Sequence, residues 1–167
     1  MSDRHLRFPL VPAALAVGLG ALALLLGALV FEHGLGLAPC PLCLVQRGPH
    51  AAAAILALTA AATAPLAREA ARLLLAAAAL VLLAGAGIAL YHSGIELQWW
   101  RGPESCSGGA ALAAGITDLK AAMAGGRIIR CDEVPWSLFG LSLANYNGLF
   151  SAALGALAVM ALRRTFR

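Results

Sequence analysis

The chain has 167 residues, of which 61% are hydrophobic and 12% are charged, and its formal net charge is +4 at pH 7. Soluble globular proteins are about 45–50% apolar and about 25% charged, so this composition excludes an ordinary soluble domain and indicates an all-α membrane protein. Nothing in the sequence resembles a nucleic-acid-binding patch, so no nucleic-acid partner is expected.

Four helical spans are predicted in chain order. A hydrocarbon core of about 30 Å takes about 20 apolar residues in a helix. The second span differs from the others because Gln46, Arg47 and His50 occupy its first turns, so its polar end should lie at the membrane interface. We therefore expect a bundle of four transmembrane helices within a single domain, residues 1–167. The four predicted spans are residues 10–31, 43–63, 73–91 and about 146–162.

Three connections join these spans. Segments 32–42 and 92–145 lie on one side of the membrane, and the 64–72 turn, marked by Pro65, lies on the other. In the long 92–145 loop, apolar residues recur at helical spacing and predict a short helix over 110–124. Its apolar face rests either on the membrane surface or on the rest of its loop. Three tryptophans near this helix suit the headgroup level: Trp99, Trp100 and Trp136.

The distribution of Lys and Arg predicts the orientation of the bundle. The side that holds the termini carries Arg4, Arg7, Arg68, Arg72, Arg163, Arg164 and Arg167. The other side carries Arg47, Arg101, Lys120, Arg127 and Arg130. The larger group lies in short segments close to span ends, where an excess of basic residues marks the cytoplasmic side. We therefore expect cytoplasmic termini, with all the cysteines on the opposite side, where disulfides form and persist.

The first cysteine pair, Cys40 and Cys43, encloses Pro41 and Leu42 at the start of the second span. Proline suits the first helical position, which places Cys40 at the helix cap and Cys43 in the first turn. The unpaired N–H groups and partial positive charge of a helix N-terminus stabilise a thiolate, which is the reactive form of cysteine. The pattern predicts a reactive pair at the membrane boundary.

Arg47 lies four residues after Cys43, on the same face of the helix. A guanidinium within a span is costly, so we expect it to pair with an anion or an acceptor. The candidates are the Cys43 thiolate and a carbonyl oxygen of a bound lipid-soluble acceptor. The alternative is that Arg47 extends from the end of the span to phosphate headgroups.

The second pair, Cys106 and Cys131, lies in the long loop among polar and turn-forming residues. A disulfide between them would stabilise the fold by about 3 kcal/mol, so a purely structural bridge is one interpretation. Glycines on both sides of Cys106 predict a flexible, accessible segment, as an exchangeable disulfide requires. Arg130, next to Cys131, should favour the thiolate of that cysteine.

Metal binding is the alternative to redox chemistry for these cysteines. CxxC pairs recur in zinc sites, and the second pair could complete a four-thiolate site. The 24 residues between Cys106 and Cys131 disfavour this, because about two to four residues usually separate the ligands of a pair. We therefore expect no metal. Two exchangeable pairs on one face instead indicate a relay that passes two electrons through mixed disulfides to an acceptor in the bilayer, and a quinone meets both requirements.

Over essentially its whole length the chain resembles the disulfide bond formation protein B (DsbB) family, the quinone-linked thiol oxidases of the bacterial inner membrane. The resemblance rests on CPLC followed by Arg47, on YHSGIE from Tyr91, on PESC, and on CDEVPWSLFGLSLANYN from Cys131. The order of these motifs relative to the predicted spans makes the match specific. Gln46 departs from the family pattern, which has an acid before the arginine, and the content around Cys106 also differs.

The resemblance implies a role for each cysteine. Cys106 would form the mixed disulfide with a reduced partner, a DsbA-like thioredoxin-fold oxidase. Cys131 would carry the electrons on by attacking or pairing with Cys40. Cys43 would form a thiolate–quinone charge-transfer adduct with ubiquinone or menaquinone.

The resemblance also implies residues around the quinone and a location for the protein. Arg47 would stabilise the adduct, and His92 would contact the quinone head group. The protein would lie in the inner membrane with its cysteines in the periplasm. Two alternatives stay open: a homologue dedicated to a different thiol partner, and a structural membrane protein whose cysteines bind zinc or staple a loop.

Overall fold

Four long helices form the bulk of the protein. The computed structural model describes residues 10–106 and 130–165. The helices are α1 (Leu10–Leu29), α2 (Pro41–Thr63), α3 (Arg68–Glu96) and α4 (Leu143–Thr165). Each packs on its neighbour in the chain, and α4 also packs on α1, which closes the bundle. The predicted all-α, four-helix bundle is confirmed.

Three of the described helices are long and apolar enough to cross a membrane: Leu10–Gly34, Arg68–Glu96 and Leu143–Thr165. The helix α2 does not reach the same apolar character because its first turns carry polar residues. The third helix extends beyond the predicted 73–91 at both ends, since its charged and polar ends keep helical hydrogen bonding after the apolar stretch stops. This extension places His92 and Glu96 on a helix.

Small residues set the distance between the helices. A Cβ atom on Gly18 would lie 2.8 Å from the Cγ of Leu58, and one on Gly155 would lie 3.0 Å from the Cγ of Leu83. Such close approach is typical of helices packed in a membrane, where apolar burial gives little net driving force. Large apolar side chains point outward from this alanine-rich core, as a lipid-facing surface requires: Leu19, Ile55, Leu73 and Leu80.

The segment after α3 folds back onto that helix. The indole Nε1 of Trp100 donates to the carbonyl oxygen of Tyr91 at 2.8 Å, and the two rings stack with centroids 6.0 Å apart. Gly94 permits this contact, because a Cβ there would lie 2.0 Å from Cζ2 of Trp100. The fold-back brings a single 3₁₀ turn, Glu104–Cys106, over the end of α3.

A short antiparallel hairpin precedes α4. Strands β1 (Ser137–Leu138) and β2 (Leu141–Ser142) are joined by Phe139 and Gly140, whose φ angles are 50° and 78°. This hairpin was not predicted from the sequence. The short helix predicted over 110–124 lies outside the described residues.

Candidate redox site

Cys40 and Cys43 lie at the N-terminus of α2. Cys40 is the N-cap residue, Pro41 is in the first turn, and the Sγ of Cys40 accepts a hydrogen bond from the backbone N–H of Cys43 at 3.1 Å. The two Sγ atoms are 2.7 Å apart, and both residues are free cysteines. The Cys40 thiol donates its proton to the Sγ of Cys43, and this sulfur–sulfur hydrogen bond, followed by burial, raises the pKa of Cys40. Cys40 is therefore the member of the pair that keeps its proton.

Cys106 and Cys131 form a disulfide, with their Cα atoms 5.0 Å apart. The exposed fractions of the two residues are 3% and 0%. The prediction of an accessible Cys106 is wrong. Gly102 lets the chain pack tightly over the sulfur, since a Cβ there would lie 3.2 Å from the Cβ of Cys106 and 3.4 Å from the side chain of Ile95. Gly102 therefore permits close packing of the chain against Cys106 and Ile95.

Arg130 was expected to favour the thiolate of Cys131, but in the structure it binds Asp132. Its Nε donates to Oδ1 of Asp132 at 2.9 Å and its terminal nitrogen donates to Oδ2 at 2.6 Å. This two-pronged hydrogen bond lowers the pKa of Asp132. The neighbouring carboxylate therefore offsets the charge that was expected to favour the Cys131 thiolate.

The two cysteine pairs meet in one buried cluster. Cys40, Ile95, Cys106 and Cys131 pack together, and Cys43 packs against them. A sulfur-to-sulfur exchange between the pairs requires such proximity.

His92 of α3 lies between the two pairs. Its Nε2 is 3.2 Å from the carbonyl oxygen of Cys131 and 3.6 Å from the Sγ of Cys40. Since a carbonyl only accepts, Nε2 carries the proton. The resemblance implied a contact between His92 and a quinone; the structure instead places this side chain at the junction of the cysteine pairs.

Gln46 fixes the orientation of the His92 ring. The Nε2 of Gln46 donates to Nδ1 of His92 at 3.2 Å, and the Oε1 of Gln46 accepts from Nδ2 of Asn147. Both the nitrogen and the oxygen of the Gln46 amide are therefore hydrogen-bonded, and Nδ1 of His92 is an acceptor. An ionised acid at this position could not donate to Nδ1, which gives the departure from the family pattern a structural consequence.

Arg47 forms an ion pair with Glu32. A terminal guanidinium nitrogen lies 2.6 Å from Oε2 of Glu32, which belongs to the π-helical turn Val30–Gly34 that follows α1. Both side chains are largely buried. Glu32 is neither of the two partners predicted for Arg47. It could not be predicted, because no spacing rule relates the end of one span to the start of the next.

A cavity of about 370 Å³ opens beside Cys43, between α1, α2, α4 and the loop that precedes α4. This volume is within the range of small-molecule sites, about 300–1,000 Å³. Much of its wall is apolar or aromatic, including Phe31, Trp136, Tyr146 and Phe150. The polar groups form one stripe of α2, at helical spacing, joined by an amide of α4: Cys43, Gln46, Arg47, His50 and Asn147. A flat, apolar ring that carries hydrogen-bond acceptors fits this wall, as a quinone head group does. His92 is not among the described residues that line it.

A metal is the competing occupant of the cysteine cluster. The Sγ atoms of Cys40 and Cys43 and a ring nitrogen of His92 lie within 4.8 Å of one another. A site built from all the cysteines is incompatible with the structure, because Cys106 and Cys131 are already bonded to each other.

The comparisons with known proteins agree with this geometry. The family model described as "Disulfide bond formation protein DsbB" matches residues 11–161. The chain belongs to the DsbB family. Two proteins named disulfide bond formation protein B illustrate the similarity. The one from Verminephrobacter eiseniae is 36% identical over 155 residues, covering 90% of this chain and 85% of its own. The one from Aromatoleum aromaticum is 34% identical over 157 residues, covering 89% of this chain and 92% of its own.

Membership in the DsbB family makes this chain a helical membrane protein of disulfide bond formation with an oxidoreductase role. The matched range includes all the cysteines, Arg47 and His92. No solved structure matches the chain.

Sequence reasoning missed several residues of the site. His50 was interpreted as part of the polar end of a span, yet it is buried and lines the cavity. Its position, three residues after Arg47 and seven after Cys43, could have placed it on the same helix face. Glu32 and Ser151 carry no such signal, because their contacts depend on packing between helices.

Proposed function

We propose that the protein is a protein-dithiol:quinone oxidoreductase that generates disulfides. It reoxidises a reduced, DsbA-like thioredoxin-fold protein and passes the electrons through both cysteine pairs to ubiquinone or menaquinone. The observation that carries the proposal is the buried cluster that joins the two pairs, with Cys43 at the wall of a quinone-sized cavity.

The exchange steps follow from the sulfur contacts. A partner thiolate attacks Cys106 and breaks its bond to Cys131, which leaves as a thiolate. Cys131 then attacks Cys40 of an oxidised Cys40–Cys43 pair, and Cys43 leaves as a thiolate. The second partner thiolate closes the partner's own disulfide and releases Cys106, which attacks Cys131 and frees Cys40. The product of these steps has a Cys106–Cys131 disulfide and free Cys40 and Cys43, which is the arrangement in the structure.

The final step returns the first pair to its disulfide. A bound quinone accepts two electrons and two protons and becomes a quinol, so one partner dithiol is oxidised for each quinol formed. Cys43 is the sulfur that lines the cavity, and it lies on the same face of α2 as Arg47. The guanidinium and the helix N-terminus both favour negative charge at this sulfur. Glu32 holds the guanidinium beside the cavity through their ion pair.

We also infer that the whole chain, residues 1–167, is one inner-membrane domain with α2 as its fourth span. The contacts that support this join the two ends expected in the cytoplasm. Arg72, near the start of α3, donates to the carbonyl oxygen of Thr165, at the end of α4. The cysteine cluster lies at the other end of α3. By the positive-inside rule the termini are cytoplasmic and loops 32–42 and 92–145 are periplasmic.

The test uses the full-length protein in lipid nanodiscs with a short-chain ubiquinone and a reduced thioredoxin-fold oxidase. We expect loss of quinone absorbance together with formation of the partner's disulfide, one for one. Cys43→Ser should reduce both signals to the rate without protein, since it removes the sulfur at the cavity wall. Thr59→Ser, on an exposed face of the same helix, is the matched control and should retain wild-type rates. A fully active Cys43→Ser variant would contradict the proposal, and stoichiometric zinc without quinone reduction would support the structural alternative.

A further inference from the structure

His50 is a buried imidazole in α2 to which the exchange steps assign no role. It is 5% exposed and lines the cavity. It lies seven residues after Cys43, which is about 10 Å farther along the helix. The preceding residue, Pro49, packs closely against α3, since a Cβ on Gly85 of α3 would lie 3.0 Å from the Cβ of Pro49. The ring is therefore held at the end of the cavity remote from the cysteines.

The two ring nitrogens of His50 have different partners. Nδ1 lies 2.8 Å from the backbone carbonyl oxygen of Gln46, so it carries a proton and donates it. Nε2 lies 3.1 Å from the Oγ of Ser151. The Oγ of Ser151 also lies 3.2 Å from Oδ1 of Asn147. The proton that His50 can gain or lose is therefore the one at Nε2.

The Ser151 hydroxyl can satisfy His50 in either protonation state. When His50 is neutral, the hydroxyl donates its proton to Nε2. When His50 is charged, Nε2 donates to Oγ, and the hydroxyl turns its own proton to Oδ1 of Asn147. Neither state leaves Nε2 without a partner, which would be costly in a buried site. The site is thus built so that His50 can gain and lose a proton without rearrangement of the helices.

The cavity needs a proton source at this end. Reduction of a quinone adds a proton to each of two oxygens on opposite sides of a ring, so the reaction at Cys43 leaves one oxygen far from the thiols. Imidazole is the side chain that exchanges a proton near neutral pH. Among the other described groups around the cavity, the Arg47 guanidinium is paired with Glu32, and the phenol of Tyr146 already donates its proton to the carbonyl oxygen of Leu138.

We propose that His50 donates the proton at its Nε2 to the quinone oxygen remote from Cys43, with Ser151 and Asn147 holding the imidazole in its charged form beforehand. This rests on the proposed function. The balance closes within the reaction: oxidation of the Cys40–Cys43 dithiol releases two protons and two electrons, the quinone takes up two of each, and His50 regains the proton that it gave. His50 is thereby a catalytic residue, and Ser151 is a positioning residue.

The experiment compares His50→Gln with His33→Gln, an exposed histidine whose side chain is 72% accessible. Full-length protein in nanodiscs is given dithiothreitol and a short-chain ubiquinone, so no partner protein is needed. General acid catalysis contributes about 10²–10⁴-fold, so we expect His50→Gln to lower kcat by at least about 100-fold with KM within about threefold of wild type. The alkaline limb of the kcat–pH profile, where kcat falls as His50 loses its proton with rising pH, should disappear. His33→Gln should keep both the rate and the profile.

A second readout needs neither quinone nor turnover. In protein labelled with ¹⁵N-histidine, the Nε2 resonance of His50 should titrate in the wild type. In Ser151→Ala its midpoint should move to lower pH, because the hydrogen bond lost from the charged imidazole is stronger than the one lost from the neutral ring. An unchanged midpoint in Ser151→Ala, or wild-type kcat and pH profile in His50→Gln, would overturn the inference and leave the proposed function standing. Absence of quinone reduction in the wild type would instead overturn the proposed function.

Discussion

The two cysteine pairs are held by different kinds of structure. Cys40 and Cys43 belong to one helix N-terminus, whose cap, proline and backbone N–H groups fix them locally. Cys106 and Cys131 lie 25 positions apart in separate segments and are joined by their disulfide. The helix therefore keeps the two residues of the first pair adjacent whether or not their sulfurs are bonded. The second pair loses a covalent link each time that it is reduced.

Under the proposed function, this difference suits each pair to a different partner. A pair on a rigid helix beside a cavity can hold one sulfur at a fixed distance from a small acceptor. A buried disulfide between two loop segments must open before a protein partner reaches it, since both sulfurs lie in the cluster under Gly102 and Ile95. The helix pair should thus be required by every electron donor, and the loop pair only by protein donors.

The largest effect should come from Cys40→Ser. Without Cys40, Cys43 has no neighbouring sulfur with which to form the closing disulfide, and Cys131 has no sulfur to attack. Quinone reduction should fall to the rate without protein, whether dithiothreitol or a thioredoxin-fold dithiol is the donor. Quinone absorbance in nanodiscs measures both rates. Substantial activity with either donor would show that the helix pair is not indispensable.

A smaller effect is expected from Arg47→Met, which keeps the apolar part of the side chain and removes the charge. A hydrogen bond to a charged group contributes about 1.5–3 kcal/mol, so the KM for quinone should rise about 10–100-fold. Arg163→Met, in the exposed last turn of α4, is the control and should not change KM. An unchanged KM in Arg47→Met would mean that the guanidinium serves its ion pair with Glu32 and not the cavity.

The smallest effect concerns the division of protons within the helix pair. Alkylation requires the thiolate, and the pKa of Cys40 is raised, so Cys40 should react slowly at neutral pH and faster only at strongly alkaline pH. Cys43→Ala removes the hydrogen bond that is the main cause, so the pH at which Cys40 reacts should move downward. Mass spectrometry of the alkylated peptide gives the rate at each pH. An identical pH profile in both proteins would contradict the assigned hydrogen bond.

The sequence predicted the parts of this site that depend on local rules. Pro41 after Cys40 indicated the helix cap, and the four-residue step to Arg47 indicated a shared face; the structure has both. The long apolar stretches likewise predicted the bundle, although not how far α3 continues past residue 91.

Contacts between distant segments could not be read in the same way. The Arg47–Glu32 ion pair joins two helices, and the contact of His92 with Cys131 joins α3 to a loop. The burial of Cys106 was predicted wrongly because glycine permits flexibility and close packing alike. Only the packed neighbours decide which of the two applies.

The most direct test of the central claim is quinone reduction by the double variant Cys106→Ser, Cys131→Ser, assayed with two donors. Dithiothreitol is small enough to reduce the Cys40–Cys43 pair directly, so quinol formation should continue with this donor. A reduced thioredoxin-fold oxidase should give none, because its entry point is gone. Oxidation of that protein by the double variant at the wild-type rate would contradict the two-pair relay.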